Sequence, residues 1–293
     1  MSGSSGMFSR RRSADYIKNY LKLHILPAWG GRDFESIRRN DVAKLLDHVE
    51  DNSGKEAADF CLKVFSGIAN WYATRHEDYA SPVIRGMRRS SQKERARDRK
   101  LNDDELRAVW KQAEANGPFG AFIRLLLLTG QRRDKVVKIK WDDLTADGTW
   151  IIETEAREKG NAGELVLPQV ALDIINAQPR LVGNAYLFPG KGKSAMRGFA
   201  KRKESFCAKL PPMPNWTLHD LRRTARSLMT RAGVRDDHAE RVLGHVIGGV
   251  AGIYNRHEYR EEKAHALRAL AALIDKIVNP PADNVLSLPV RAL

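Results

Sequence analysis

Apolar residues recur along this chain mostly at helical spacing, broken by one short stretch with the two-residue rhythm of strands. Between 13 and 26, Ile17, Tyr20, Leu21 and His24 fall on one face, with Ser13 as the expected cap and Pro27 as the expected stop. After a turn through Gly30 and Gly31, Asn40 is expected to cap a second helix, in which Val42, Leu45, Leu46 and Val49 repeat at helical spacing. A third helix, roughly 54 to 75, carries Cys61, Phe65, Ile68 and Tyr72 on one side. The N-terminal region therefore reads as all-helical and ends near Pro82.

From Met87 to Lys100 the sequence MRRSSQKERARDRK carries almost no large apolar side chain, so it cannot feed a core. It reads as a basic linker, either a solvated tether or a strap that tracks phosphates. A second pattern starts at Leu101, where Asn102 to Glu105 form a capped helix start. The next helix ends in FIRLLLLTG, with Gly130 beyond its last turn. TWIIET and ELVLP read as two strands of a hairpin around the polar turn REKGNAG. Pro168 opens a further helix, a basic helix spans about 194 to 210, and an amphipathic one spans about 261 to 278.

The predicted fold class is thus mainly α with a small β-sheet (α+β). Residues 1–6 read as an expression scar, 7–86 as a helical domain, 87–100 as the linker, 101–279 as a second domain and 280–293 as a tail. No internal repeat is evident.

Composition sharpens this outline. The 293 residues suffice for two cores, and 50 basic against 36 acidic residues leave a formal charge of +14, which favours a polyanionic partner. Cys61 and Cys207 are too distant in sequence to suggest a disulfide scaffold or a metal knuckle, and a reducing, intracellular compartment fits them. No apolar run reaches membrane-spanning length; IRLLLLTG, the longest, has the size of a core helix.

The chemistry gathers between Trp216 and His257. Thr217 with Asp220 forms a capping-box pattern, which places His219 and Arg222 on one face of a helix's first turns. His245 follows a Leu-Gly pair, and Tyr254 comes nine residues later. Two imidazoles, a guanidinium and a phenol make a poor metal site. They suit a single phosphate, offering donors for its oxygens and a hydroxyl that can attack phosphorus. No DxD, HExxH or carboxylate cluster stands out, so a metal nuclease lacks support.

His-x-x-Arg, Leu-Gly-His and the later tyrosine resemble the C-terminal signature of the tyrosine recombinases, the phage integrase family. Upstream, Thr129-Gly130-x-Arg132 resembles that family's first catalytic arginine. Lys159, in the hairpin turn ahead of Leu167-Pro168, resembles its catalytic lysine, and Gly160 and Gly163 give that loop freedom to move. Taken singly, each residue has a plainer reading: a helix-end cation, a solvated lysine, a structural histidine, a core tyrosine. What singles them out is that Arg132, Lys159, His219, Arg222, His245 and Tyr254 fall in one order.

The resemblance implies a core-binding domain followed by a catalytic one. The family's additional arm-binding domain is not evident. Implied as well are a cofactor-free reaction on double-stranded DNA attachment sites and a monomer that assembles into a homotetramer on DNA. A cytoplasmic, bacterial or phage-encoded protein follows, with no membrane partner. The implied activity is site-specific recombination: Tyr254 forms a covalent 3′-phosphotyrosine, the arginines and His245 hold the phosphate, His219 accepts the phenol proton and Lys159 protonates the leaving oxygen. A type IB topoisomerase and a DNA-binding protein with a decayed site are the alternatives.

One departure stands out. The family usually carries an acidic residue three positions after the first arginine, where this chain has Lys135. A lysine there is expected to add repulsion, with Asp134 as the replacement carboxylate; Arg133 is a candidate only for the phosphate backbone. Finally, Ala264, Leu267, Leu270, Ala271, Leu273 and Ile274 form an apolar stripe that must be buried, either on its own domain or in a neighbouring subunit.

Overall fold

In the computed structural model the first helix does not stop at Pro27. The structure describes residues 14–91, 94, 97–154, 158, 160–245 and 259–280, so Ser13, Lys159 and Tyr254 lie outside the described residues. Helix α1 (Ala14–Tyr20) widens into a π-turn over Leu21–Ile25 and continues as α2 (Leu26–Trp29). The proline stands in the first turn of α2, where its missing amide hydrogen costs nothing. The wider turn before it relieves the clash its ring would otherwise make with the preceding turn.

The chain divides between Arg97 and Asp98 into two compact units. In the first, α3 (Arg39–Ser53) starts one residue before Asn40. Arg38 is the cap, and its amide donates to the Asp41 carboxylate at 2.8 Å. Val42, Leu45, Leu46 and Val49 are buried against Ala58, Cys61, Leu62 and Phe65 of α4 (Lys55–Ala73), as their spacing predicts. Trp29 meets Phe65 edge-on at 4.8 Å. The start of the basic segment belongs to this unit. Met87 packs on its core, the Arg89 amide donates to Asp59 at 2.7 Å and the Arg89 guanidinium donates to the Ala43 carbonyl at 3.1 Å.

The second unit is built around α6 (Gly117–Thr129), which is apolar and buried from Phe119 to Thr129 except at half-buried Arg124. Helix α5 (Asp103–Glu114) packs on it behind its Asn102–Glu105 capping box. A short α7 (Arg133–Val137) follows, then β1 (Thr149–Ile151) and β2 (Glu164–Val166), which pair antiparallel with Trp150 opposite Leu165. This is the predicted hairpin. Helices α8 (Gln169–Asn176), α9 (Phe199–Cys207), α10 (Leu218–Arg231), α11 (Asp236–Leu243) and α12 (Arg260–Val278) complete the unit.

The basic helix is shorter than its charge pattern suggests. Residues before Phe199 form a bridge between Pro189 and Ala195, fastened by Asn184, whose amide donates to the Gly192 and Ser194 carbonyls. The stripe of α12 is settled too. Ala264, Leu267, Leu270, Ala271 and Ile274 are buried in the core of their own unit, with Leu273 packed at its edge. No described helix is long and apolar enough to cross a membrane.

Candidate active site

The site begins where α6 ends. Gly130 takes a left-handed conformation (φ 60°), and a Cβ there would stand 2.9 Å from Leu243 Cδ2. Only glycine meets both demands. The reversal it allows sends the chain into extended Arg132 and then α7, so the Arg132 side chain emerges at the junction, 43% exposed.

Helix α10 supplies the second arm. The Thr217 amide donates to Asp220 at 2.8 Å, the reciprocal half of the predicted capping box, and fully buried Asp220 also receives Arg223 at 2.6 Å. Two residues on from Asp220, Arg222 is only 5% exposed. Its Nη1 donates to the Gly130 carbonyl at 2.9 Å and its Nη2 to the Leu243 carbonyl at 3.0 Å. One guanidinium thus satisfies the ends of two helices. Burial first, then the neighbouring Arg132, pulls its pKa down to about 10, which still leaves it fully charged at neutral pH.

His245 completes the pair. It follows Gly244, the left-handed cap of α11, and its Nε2 lies 2.7 Å from Arg222 Nη2. Its Nδ1 bonds the Glu240 carboxylate, whose other oxygen accepts from Arg226 at 2.7 Å. With Arg222 donating to Nε2, the imidazole carries its proton on Nδ1, toward Glu240. Burial alone would raise the Glu240 pKa, but the hydrogen bonds from Arg226 and His245 outweigh it and hold the carboxyl below its ordinary value.

His219 keeps an open edge to solvent while its surroundings are crowded. Burial, then Arg223 and Arg222 and finally Arg132, lowers its pKa below the ordinary 6.5, against the weaker pull of Asp220. Arg132, His219 and Arg222 therefore lie within one another's electrostatic reach, and His245 joins them through Arg222, so that three separate stretches of chain meet.

Lys135 is not the source of repulsion that the sequence suggested. Its ammonium donates to Glu158 Oε2 at 2.7 Å and to the Glu153 carbonyl at 2.7 Å. The other oxygen of Glu158 stands 3.5 Å from Arg132 Nη1, which also lies 3.4 Å from the Gly160 carbonyl. Asp134 does not fill the acidic role: it pairs with Arg133 at 2.8 Å, and the Arg133 guanidinium rests over the Phe199 ring.

Spacing alone missed Glu158, Glu240 and Lys263. The first two carry no helical register with their partners. Lys263 sits at a buried position of α12, and its ammonium donates to the Ala162 carbonyl at 2.7 Å. Ala162 in turn lies against Gly244, where a Cβ would stand 2.5 Å from the Ala162 nitrogen. The return limb of the hairpin is thereby seated between α12 and the turn that presents His245. Among the described residues no three His, Cys, Asp or Glu side chains gather so as to hold a metal ion.

The comparisons agree with this geometry. The prophage integrase IntZ of Escherichia coli (strain K12) is 22% identical over 276 residues, 90% of this chain and 67% of that protein. A lambda integrase dimer bound to a COC′ core site superposes with a TM-score of 0.63 at 17% identity, covering 80% of this chain and 88% of that one. A lambda integrase tetramer bound to a Holliday junction gives the same score and identity over 80% and 72%. The phage integrase family itself matches residues 99–261, more than half of the 293. The chain belongs to the phage integrase family and is a site-specific DNA recombinase of the tyrosine type.

Proposed function

We propose that this recombinase breaks and rejoins double-stranded attachment sites with Tyr254 as nucleophile and Arg132, Lys159, His219, Arg222 and His245 as the groups around the phosphate. The supporting observation is the convergence of cations. Arg222 is charged and buried, Arg132 and Arg223 raise the local positive potential, and an anion is what such a cluster stabilises and is stabilised by. Two imidazoles flank it.

In this mechanism the Tyr254 oxygen bonds to the scissile phosphorus as the bond to the 5′ oxygen breaks, leaving a 3′-phosphotyrosine that preserves the bond for resealing. His219 takes the phenol proton, for which its lowered pKa suits it: the free base is present at neutral pH. Arg132 and Arg222 neutralise the non-bridging oxygens. His245, beside Arg222 and oriented by Glu240, is the further group assigned to the same oxygens. Lys159 protonates the departing oxygen. The chain joins it directly to Glu158 and Gly160, both in contact with Arg132.

By analogy with the lambda integrase complexes, we assign a homotetramer on DNA through a Holliday junction, formed from monomers in solution. A bacterial cytoplasm, with the gene on a prophage or similar element, fits the Escherichia coli relative. The helical first unit then serves as a core-binding domain over 7–86, followed by the basic segment 87–100 and the catalytic domain 101–279.

The test is covalent capture. The protein is incubated with a pool of nicked duplexes of randomised sequence, denatured, and the DNA still attached is sequenced. The expected outcome is an enriched site and an adduct that persists in excess chelator, with none from Tyr254→Phe despite unchanged duplex affinity. An adduct with Tyr254→Phe overturns the assignment of the nucleophile, and dependence on magnesium overturns the metal-free mechanism.

A further inference from the structure

Glu158 stands at a junction that the roles above do not use. Its side chain is 13% exposed and so is nearly withdrawn from water, as is that of Lys135 at 11%. The two meet at 2.7 Å, while the second carboxylate oxygen lies 3.5 Å from Arg132. This inequality matters. A carboxylate held tightly by Arg132 alone would consume the charge that a phosphate needs. Here Lys135 takes the short, strong contact, and Arg132 is left with the long, weak one. Among the described residues the carboxylate is thus divided between Lys135 and Arg132, and the arginine keeps positive charge for a phosphate.

Arg132 also touches Gly160, so its guanidinium meets the residues on both sides of position 159. The far end of the same loop is held independently, through Lys263 on Ala162 and the Gly244 contact.

We infer that Glu158 is a positioning residue for strand cleavage: held by Lys135, its carboxylate aims Arg132 and anchors the chain beside Lys159. The charge-reversed pair does here what a carboxylate at position 135 would do on its own. This rests on the reading of Arg132 as a phosphate-binding cation.

The experiment measures single-turnover cleavage and duplex affinity on the nicked duplex recovered by covalent capture. Glu158→Gln should slow cleavage on the order of 10²-fold with unchanged affinity, since a misaimed group of this kind costs about that much. Lys135→Glu should be at least as slow, because two carboxylates then face each other. Lys135→Glu combined with Glu158→Lys restores an opposite-charge pair and should cleave faster than either single variant. Glu158→Gln within twofold of the parent overturns the proposal. So does a double variant no faster than the slower single one, or a loss of affinity that matches the loss of rate. Arg132→Ala separates the two levels: if it cleaves normally, the phosphate-binding reading itself has failed, whereas if it is inactive beside an active Glu158→Gln, only the positioning role has.

Discussion

The Nε2 of His245 lies 2.7 Å from Arg222 Nη2, and that same amino group reaches the Leu243 carbonyl at 3.0 Å. A single guanidinium therefore joins the imidazole to the end of α11, while its other amino group caps Gly130. Arg222→Lys keeps the charge and loses the fork. One ammonium cannot span both carbonyls, so a buried acceptor is left unpaired at a cost of about 1–3 kcal/mol. The expected result is a lower urea midpoint together with cleavage reduced on the order of 10²-fold or more. Parental stability and rate in Arg222→Lys would show that neither carbonyl needs the guanidinium.

The pH profile tests His219. Its pKa is depressed by burial and by Arg223, Arg222 and Arg132. A base must be unprotonated, so the cleavage rate should hold its plateau as pH falls through 6.5 and decline only at more acid values. Arg223→Gln removes one of the cations that disfavour the imidazolium. It should move the acid limb upward in pH, toward the ordinary histidine value. A limb that does not move on this substitution, or one that already lies above 6.5 in the parent, removes His219 from the role of base.

Lys159 is tested by changing the leaving group. A 5′-bridging sulfur departs without being protonated, so Lys159→Ala should cleave normal DNA slowly and the sulfur-substituted duplex at close to the parental rate. Equal losses on both would make Lys159 a binding residue.

The C-terminal helix yields a stability prediction. Leu267 and Leu270 are fully buried, and Ile274 and Ile277 nearly so, all in the core of their own unit. Truncation after Glu262 should therefore give a destabilised, aggregation-prone protein. Leu270→Ala should cost about 2–5 kcal/mol in equilibrium denaturation. A truncated protein that melts like the parent would mean the stripe is dispensable to its own domain.

Local rules carried the sequence reading a long way. The Gly130 reversal, the Thr217–Asp220 and Asn102–Glu105 boxes and the Trp150–Leu165 pairing each depend on residues a few positions apart, or on the strict alternation of a strand. The misreadings have physical causes. Pro27 announces a helix stop, and a π-turn absorbs it. Asn40 is the better cap by residue type, but Asp41 sits at the right distance to accept from Arg38. Lys135 looks repulsive beside Arg132 because its partner, Glu158, lies 23 residues away in a loop, and no periodicity links the two. Glu240 is similar: its bond to His245 crosses the end of a helix, where spacing carries little information.

Gly244 has a consequence for anyone recombining parts of such proteins. With the backbone of Asn161 and Ala162 lying where its Cβ would be, the hairpin limb and the turn ahead of His245 share one surface with no side chain to adjust between them. A side chain elsewhere can rotate away from a foreign neighbour; two backbones in contact cannot. A chimaera that imports either segment from a relative without the other inherits a steric mismatch at the histidine itself. The two segments, about 80 residues apart in sequence, should be exchanged together as a single graft.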